Sequence, residues 1–263
     1  MPMALSRSKL LYKVALILAI LLGIINVTQI GGRLYAMGRN HLHKTLMQNI
    51  SSFSCERTRY AEIYYDGPRP GYVDTVTNCI DFYAPLLYAD FGLSDMPRVT
   101  IVLYHDIEAL EKTLKLSYQT VPMGIYYGGM IHVLAPDQWM EEETSDSYAA
   151  ERFVREGPLL HELTHWLTDI KTGGNYSTWF TEGVALYYEY KYAVFEWRSD
   201  LADSSRDITI DMLRKDFRAL DEARAYRRAF DIIRAYVDHY GETALQSQMA
   251  RLRQGGNAED IFR

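Results

Sequence analysis

The chain has 263 residues, of which 48% are hydrophobic and 24% are charged, as is typical of a folded globular protein. Its formal net charge of -6 and its isoelectric point near 5.7 argue against a nucleic acid as partner, because nucleic acids are bound by basic surfaces. No internal repeat or low-complexity segment interrupts the sequence. We therefore expect one folded domain with an additional N-terminal segment.

Residues 1–32 predict a segment directed to a membrane. Residues 14–30 (VALILAILLGIINVTQI) carry no charge, and basic residues stand on both sides of them. Their length lies between that of a signal-peptide core and that of a full membrane span, so an uncleaved anchor and a cleaved signal both fit. We favour one transmembrane or signal-anchor helix, because no convincing cleavage site follows nearby. The balanced basic residues do not decide its orientation.

Residues 33–53 form a basic, amphipathic segment that predicts a helix running along or away from the membrane surface. His41 and His43 lie two positions apart, which does not bring them to one face of a helix, so no metal site is expected there. The two cysteines of the chain, Cys55 and Cys79, either form a disulfide in an oxidising compartment or stay buried as free thiols.

The part from residue 57 to residue 135 alternates between strand and helix patterns. Runs rich in β-branched and aromatic residues predict strands at 60–65, 98–104 and 125–134. Apolar periodicity predicts helices at 73–91, with Pro85 as the point where the helix could kink, and at 107–116. This order indicates a β-α-β unit followed by a third strand, and hence a small mixed sheet.

The stretch 159–189 carries the residues with the clearest chemistry. His161, Glu162 and His165 form H-E-x-x-H, which on a helix places two imidazoles one turn apart on the same face with a carboxylate beside them. Two nitrogens on one face can hold one zinc ion. A catalytic site needs a third protein ligand and an open position as well.

Glu182 is the natural third ligand, because it lies seventeen positions beyond His165 on a second predicted helix. A Gly-Gly-Asn turn separates the two apolar periodic runs, so two antiparallel helices are predicted to face each other. Glu189 and Asp169 are further candidates in this region. Each is either an acceptor for an imidazole N–H group, or a helix cap or solvated charge.

Helical patterns flank this stretch on both sides. A polar, acidic loop at 137–146 and a helix around 147–155 precede it. Apolar periodicity predicts three helices after it, at 208–220, 222–240 and 242–253, with glycines at the last boundaries. We expect an all-helical C-terminal half that packs behind the site.

The segment HELTH followed by WFTEGVALYYE resembles the gluzincin branch of the zinc metallopeptidases, the peptidase MA superfamily, and especially its small bacterial peptidase-MA-like domains. HELTHWLTD is also similar to the active helix of thermolysin-type enzymes. The pattern E-G-x-A-x-Y-x-E from Glu182 to Glu189 is similar to that of the membrane alanyl aminopeptidases. The similarity is at motif level across 159–189 and weaker, but in the same order, from about Ser54 to the C-terminus.

The resemblance also implies a role for Tyr226. Tyr226 is similar to the tyrosine of the aminopeptidase Y-x-K-G segment, which hydrogen-bonds the developing oxyanion, although Arg228 and Ala229 replace the Lys-Gly pair. Other hydroxyl or imidazole donors remain open for that role, namely Tyr236, Tyr240 and His239.

Residues 128–132 lie where the aminopeptidases have G-x-M-E-N, on a strand expected to form a sheet edge that pairs with the substrate main chain. Ile131 stands in place of the glutamate that grips a free amino terminus, so exopeptidase action of that type is disfavoured. His132 either touches substrate from this strand or is an ordinary half-exposed residue.

The resemblance thus implies an α+β, zincin-like fold, in which an N-terminal subdomain with a small mixed sheet packs on the active helix. We expect residues 54–263 to form a metallopeptidase domain that acts on peptide or protein substrates. Zn²⁺ would be held by His161, His165 and Glu182, with Glu162 as general base.

The expected location is the cell membrane, with a single span and the catalytic domain outside the cytoplasm, since the resemblance points to exported enzymes. Secretion after signal cleavage is the alternative. A competing hypothesis is a catalytically inactive zincin-fold scaffold that binds a protein partner. A third is hydrolysis of a non-peptide amide.

Overall fold

The computed structural model describes residues 35, 37–115, 122–138 and 146–256. The predicted membrane-directed segment at 1–32, and most of the predicted acidic loop, lie outside the described residues. Among the residues described, no helix combines the length and the apolar character needed to cross a membrane.

The described part of the chain is α+β, with a five-stranded mixed sheet and helices on both of its faces. Its strands are β1 (Ser54–Arg57), β2 (Ala61–Tyr65), β3 (Val99–Tyr104), β4 (Gly124–Tyr127) and β5 (Met130–Leu134). Its helices are α1 (37–49), α2 (Tyr72–Asp90), α3 (Ile107–Leu114), α4 (Asp146–Glu156), α5 (Leu159–Thr172), α6 (Thr178–Ala193), α7 (Ile210–Asp216), α8 (Glu222–Tyr240) and α9 (Glu242–Arg253).

The strand order is β1-β2-β3-β5-β4. The predicted β-α-β unit is present, because β2 pairs in parallel with β3 and α2 connects them as one helix that continues through Pro85. β3 also pairs in parallel with β5, whereas β1 and β4 are antiparallel to their neighbours. The short strand β1 was not predicted, since its sequence SCER has no alternation of apolar and polar residues.

The prediction of one strand at 125–134 is wrong, because this segment folds into the hairpin β4–β5. Gly128 and Gly129 have φ angles of 60° and 80°, a left-handed conformation that glycine adopts without steric penalty, and they form the turn. The edge strand next to α5 is therefore β4. The expectation that the strand carrying residues 128–132 forms the sheet edge is wrong, because residues 130–132 lie in the interior strand β5.

The prediction of a half-exposed or substrate-contacting His132 is also wrong. Its side chain is 0% exposed, and its Nδ1 atom lies 2.9 Å from the hydroxyl oxygen of Tyr104 on β3. Burial lowers the pKa of His132 to about 4, so the imidazole is neutral at physiological pH. It is a core residue between two strands.

Alternation along β3 separates two apolar clusters, one on each face of the sheet. Ile101 and Leu103 face the larger cluster, which includes residues of α2, α5, α6, α8 and α9. Val102 and Tyr104 face the smaller cluster, which they share with residues of α1 and α3. The helices that carry the candidate ligands therefore pack on one face, and α1 packs on the other.

Helix α1 is part of the folded unit. Leu46 and Ile50 are buried against the sheet, with exposed fractions of 2% and 1%. A Cβ atom at Gly128 would lie only 2.4 Å from Cδ1 of Leu46, so the hairpin turn and α1 are in close contact. The division drawn at residue 53 from the sequence thus falls between two elements that share one core. Both cysteines are free thiols, Cys55 exposed and Cys79 buried.

The C-terminal helices agree closely with the sequence analysis, with α8 and α9 at the predicted bounds. The predicted helix at 208–220 is shorter, because α7 ends at Asp216 and a 3-10 turn, Phe217–Ala219, follows. The carboxylate of Asp216 accepts a hydrogen bond from the N–H group of Ala219, which stabilises that turn.

Replacing Gly183→Ala is expected to destabilise the fold. A Cβ atom there would lie 2.5 Å from the carbonyl oxygen of Ala229, so α6 and α8 would have to separate. Overpacking of this kind costs about 1–3 kcal/mol in the free energy of unfolding. The melting temperature should fall by about 2–4 °C for each kcal/mol, as measured by thermal unfolding of the full chain.

Gly38→Ala is the matched control, because Gly38 lies in α1 and a Cβ atom there would meet no other atom within 4 Å. This change should raise stability by about 0.5–1 kcal/mol through the better helix propensity of alanine. A Gly183→Ala protein that melts at or above the wild-type temperature would contradict the close approach of α6 and α8.

Candidate metal centre

Helix α5 carries both imidazoles of the H-E-x-x-H motif. Pro158 precedes its first turn, and Gly173 ends it in a left-handed conformation with φ of 65°. His161 and His165 lie on one face, with their ring centroids 4.6 Å apart and their planes nearly perpendicular. The spacing of four residues therefore brings the two rings together as predicted.

Helix α6 returns alongside α5 and brings Glu182 to both rings. The Oε2 atom of Glu182 lies 3.3 Å from Nε2 of His161 and 3.5 Å from Nε2 of His165. The ligand atoms of the three residues all lie within 4.8 Å of one another, close enough to share one cation. The three residues singled out as ligands are thus brought together.

The remaining ring nitrogens have partners of their own. Nδ1 of His161 lies 3.2 Å from Oε2 of Glu189, so the contact expected between Glu189 and an imidazole is present. Nδ1 of His165 lies 2.7 Å from the hydroxyl oxygen of Thr181, a residue that the sequence analysis missed. With the ring protons on Nδ1, both Nε2 lone pairs point toward Glu182.

This donor set fits a zinc ion. Two neutral imidazole nitrogens and one carboxylate are a usual combination of ligands in catalytic zinc sites. Hydrogen bonds from the second ring nitrogen to a carboxylate or another acceptor fix the ring orientation of zinc-binding histidines, and Glu189 and Thr181 are in that position.

The carboxylates and imidazoles of the centre lie close enough to shift one another's pKa values. Burial acts to raise the pKa of Glu182, but the two imidazoles outweigh it and hold that pKa below its usual range. Burial acts to lower the pKa of His161, but Glu189 and Glu182 outweigh it and raise that pKa. Burial also raises the pKa of Glu162. Three carboxylates around two imidazoles create a potential that favours a bound cation.

Asp169 is not an imidazole partner, contrary to one expectation. Its carboxylate is 0% exposed and accepts hydrogen bonds from the hydroxyl groups of Tyr35 and Tyr126, each at 2.8 Å, and forms an ion pair with Arg39. It lies one turn farther along α5 than His165, where it faces α1 and β4. Three donors satisfy it there.

Glu162 lies beside the ligands on α5 and is only 7% exposed. Its Oε2 atom accepts a hydrogen bond of 2.6 Å from the backbone N–H group of Tyr126 on β4. A Cβ atom at Gly124 would lie 2.6 Å from Cβ of Pro158, so β4 packs tightly on the start of α5. One carboxylate oxygen of Glu162 is thus held by the sheet.

A cavity of about 620 Å³ opens at His161 and Glu162. Its walls are largely apolar and aromatic, and they include Leu186, Phe195 and Trp197. A second cavity of about 320 Å³ borders Glu182 and has a more polar lining that includes Thr178, Arg218 and Glu222. The two cavities therefore border different candidate ligands.

Tyr226, the predicted oxyanion donor, lines both cavities. Burial is the main cause that raises its pKa, and the charge of Glu182 and a hydrogen bond to it raise that pKa further. The ring is held by Phe217, with centroids 5.3 Å apart. The fallback donors Tyr236, Tyr240 and His239 are not among the residues that line these cavities.

Comparison of the sequence with protein-family models and with curated proteins finds no match. The motif and the geometry of the described residues therefore carry the functional argument.

Glu189→Gln and Thr181→Val are each expected to weaken zinc binding. Glu189→Gln replaces a charged acceptor beside His161 by a neutral amide, and Thr181→Val removes the hydroxyl group beside His165. Loss of such partners typically costs about 10–100-fold in metal affinity. Competition with a chromophoric chelator measures the affinity of the full chain. Glu108→Gln is the control, because Glu108 is an exposed residue of α3 and should have no effect. Unchanged affinity in both variants would contradict this arrangement of the centre.

Proposed function

We propose that the protein is a zinc-dependent peptidase of the gluzincin type with a zincin-like fold, and that it acts as an endopeptidase. The observation that carries the proposal is the position of one Glu182 oxygen at 3.3 Å and 3.5 Å from the Nε2 atoms of the two imidazoles. Glu162 lies beside these residues, at the wall of a cavity large enough for a peptide segment.

His161, His165 and Glu182 would hold the zinc ion, which when bound acts as a Lewis acid and lowers the pKa of water toward neutrality. Glu162 is the general base in this proposal. Its Oε2 atom is engaged by the Tyr126 N–H group, which leaves Oε1 free to accept a proton from water and pass it to the leaving nitrogen. Such a reaction cleaves the amide bond without a covalent intermediate.

Tyr226 is the donor that would stabilise the tetrahedral oxyanion. Its raised pKa keeps the hydroxyl group protonated. Its place in the lining of both cavities, next to Glu182, supports this role. A preorganised donor in a half-buried site strengthens as negative charge develops, because little water competes for it.

The two cavities carry the proposal of endopeptidase action. Both include Tyr226 in their lining, and between them they border His161, Glu162 and Glu182, so an extended chain has room to pass the site. Ile131 gives no argument here, because it is buried in the interior strand β5 and not at the sheet edge. A peptide or protein is therefore the proposed substrate.

The proposed location is the cell membrane, with residues 1–32 as anchor and the catalytic domain outside the cytoplasm. The uncharged run at 14–30 supports it. Secretion after removal of a signal peptide is the alternative.

Glu162→Gln should lower kcat for peptide hydrolysis by about 10²–10⁴-fold, because the amide cannot accept the proton of water. Zinc content should stay at the wild-type level, since Glu162 is not a ligand. The measurement is cleavage of a proteome-derived peptide pool by the full chain, with elemental analysis of the same samples. Removal of zinc by a chelator should abolish cleavage.

Hydrolysis that persists in zinc-loaded Glu162→Gln would exclude this mechanism. If the wild-type protein binds zinc but cleaves nothing in the pool, the peptidase proposal fails. The inactive scaffold or the hydrolase of a non-peptide amide would then be the better hypothesis.

Tyr226→Phe should lower kcat by about 10²–10³-fold with little change in zinc content, because it removes one oxyanion donor. Tyr240→Phe is the matched control, since Tyr240 is 61% exposed near the end of α8 and lines neither cavity. Equal activity of the two variants would show that another group stabilises the oxyanion.

A further inference from the structure

Tyr126 on β4 makes two hydrogen bonds to helix α5. Its backbone N–H group donates to Oε2 of Glu162 at 2.6 Å, and its hydroxyl group donates to Oδ2 of Asp169 at 2.8 Å. Glu162 and Asp169 are seven residues apart, which is two turns of the helix. One residue of the outer strand therefore joins the proposed general base to a buried carboxylate on the same face of α5.

Asp169 depends on helix α1 for its charge balance. A fully buried carboxylate is unfavourable unless it is paired, and its partner is the guanidinium group of Arg39. Burial acts to lower the pKa of Arg39, but the hydrogen bond to Asp169 and its charge outweigh it and raise that pKa. The hydroxyl group of Tyr35 donates to the other oxygen, Oδ1, at 2.8 Å.

The two tyrosines act as neutral donors to this carboxylate. Burial, and then the charge of Asp169, raise the pKa of Tyr126 above its usual range. The same two causes raise the pKa of Tyr35 to about 12. Both hydroxyl groups keep their protons at physiological pH, so the hydrogen-bond network does not change its donors there.

Glycines give α1 a close fit against the site. A Cβ atom at Gly174, in the turn between α5 and α6, would lie 1.8 Å from Cε1 of Tyr35. A Cβ atom at Gly128, in the turn of the hairpin that carries Tyr126, would lie 2.4 Å from Cδ1 of Leu46. Tyr35, two residues before α1, thus contacts the turn of the ligand-bearing helix pair, and α1 itself contacts the hairpin.

We propose that Tyr126 is a positioning residue for Glu162, and that α1 maintains it through Arg39 and Asp169. The inference rests on the proposed peptidase function. Arg39 keeps Asp169 in place as an acceptor, Asp169 holds the Tyr126 side chain, and the strand presents the N–H group that orients Glu162. The helix that follows the proposed anchor is therefore part of the catalytic apparatus, and residues 54–263 alone lack a required element.

Loss of a positioning residue lowers the catalytic rate, whereas loss of a purely structural residue lowers the stability of the fold. Misplacement of a catalytic group by about 1 Å can lower the rate by about 10²-fold, whereas loss of packing lowers stability without a selective effect on turnover. We expect Tyr126→Phe and Arg39→Met to lower kcat by about 10–100-fold, with KM and zinc affinity near the wild-type values. Adding Tyr126→Phe to Asp169→Asn should give little further loss, because the residues act in one pathway.

Matched controls exist elsewhere in the chain. The Tyr187 hydroxyl group also donates to a carboxylate, that of Glu242, at 2.9 Å, so Tyr187→Phe removes a similar hydrogen bond away from Glu162. Arg57 forms an exposed ion pair with Glu62, so Arg57→Met removes a similar charge. Both controls should retain wild-type kcat. Turnover is measured with the zinc-loaded full chain and one peptide that the wild type cleaves.

Amide hydrogen exchange gives a readout that is independent of activity. In Arg39→Met and Tyr126→Phe, the segment 122–130 should exchange faster than in the wild type, and β2 and β3 should not. If the wild type cleaves no peptide, the proposed function fails, while the exchange data still test the link from α1 to β4.

Two results would overturn the inference. One is wild-type kcat in a folded, active Tyr126→Phe protein. The other is unchanged exchange of 122–130 in Arg39→Met. If Arg39→Met does not fold, Tyr35→Phe replaces it. That change removes one hydrogen bond to the Asp169 carboxylate and leaves the ion pair with Arg39 in place. Unchanged exchange and kcat in Tyr35→Phe and Tyr126→Phe together would then reject the link.

Discussion

The candidate centre depends on the close packing of α5 against α6 and of α6 against α8. Glu182 reaches both imidazoles only because α6 lies directly beside α5. Gly183, the next residue, has no side chain, and a Cβ atom there would lie 2.5 Å from the carbonyl oxygen of Ala229 on α8. The absence of a side chain at Gly183 thus allows α8 to pack closely against the ligand-bearing pair.

One buried carboxylate and two half-buried ones are stabilised in different ways. Asp169 is balanced within the protein by Arg39 and by tyrosine hydroxyl groups. Glu182 and Glu189 instead face the two sides of His161, and the described structure provides them no arginine or lysine partner. Imidazole is neutral when it acts as a metal ligand, so the second group retains its negative charge for an external cation. This difference separates a structural cluster from a candidate metal centre.

The two clusters are not independent, because both involve β4. Its residue Tyr126 contacts Glu162 through the backbone and Asp169 through the side chain. Helix α1 packs on the opposite face of the sheet from α5, yet its Arg39 pairs with Asp169 and lies next to the hairpin turn at Gly129. Helix α1, which the sequence predicted to run along or away from the membrane surface, thus contacts the same carboxylate, Asp169, as the strand beside the proposed general base.

Features that depend on local periodicity could be predicted from the sequence. The spacing of His161 and His165 follows from the helical repeat, and α8 and α9 follow from apolar periodicity broken at Gly241. The hairpin at 124–134 was not predicted, although two glycines between β-rich runs are a local signal for it. The burial of His132 and the partners of Asp169, by contrast, follow from the tertiary structure alone. The physical reason is that these depend on pairing between distant segments, such as the 130 residues that separate Arg39 from Asp169. No local pattern encodes such contacts, because each requires both segments to be in place.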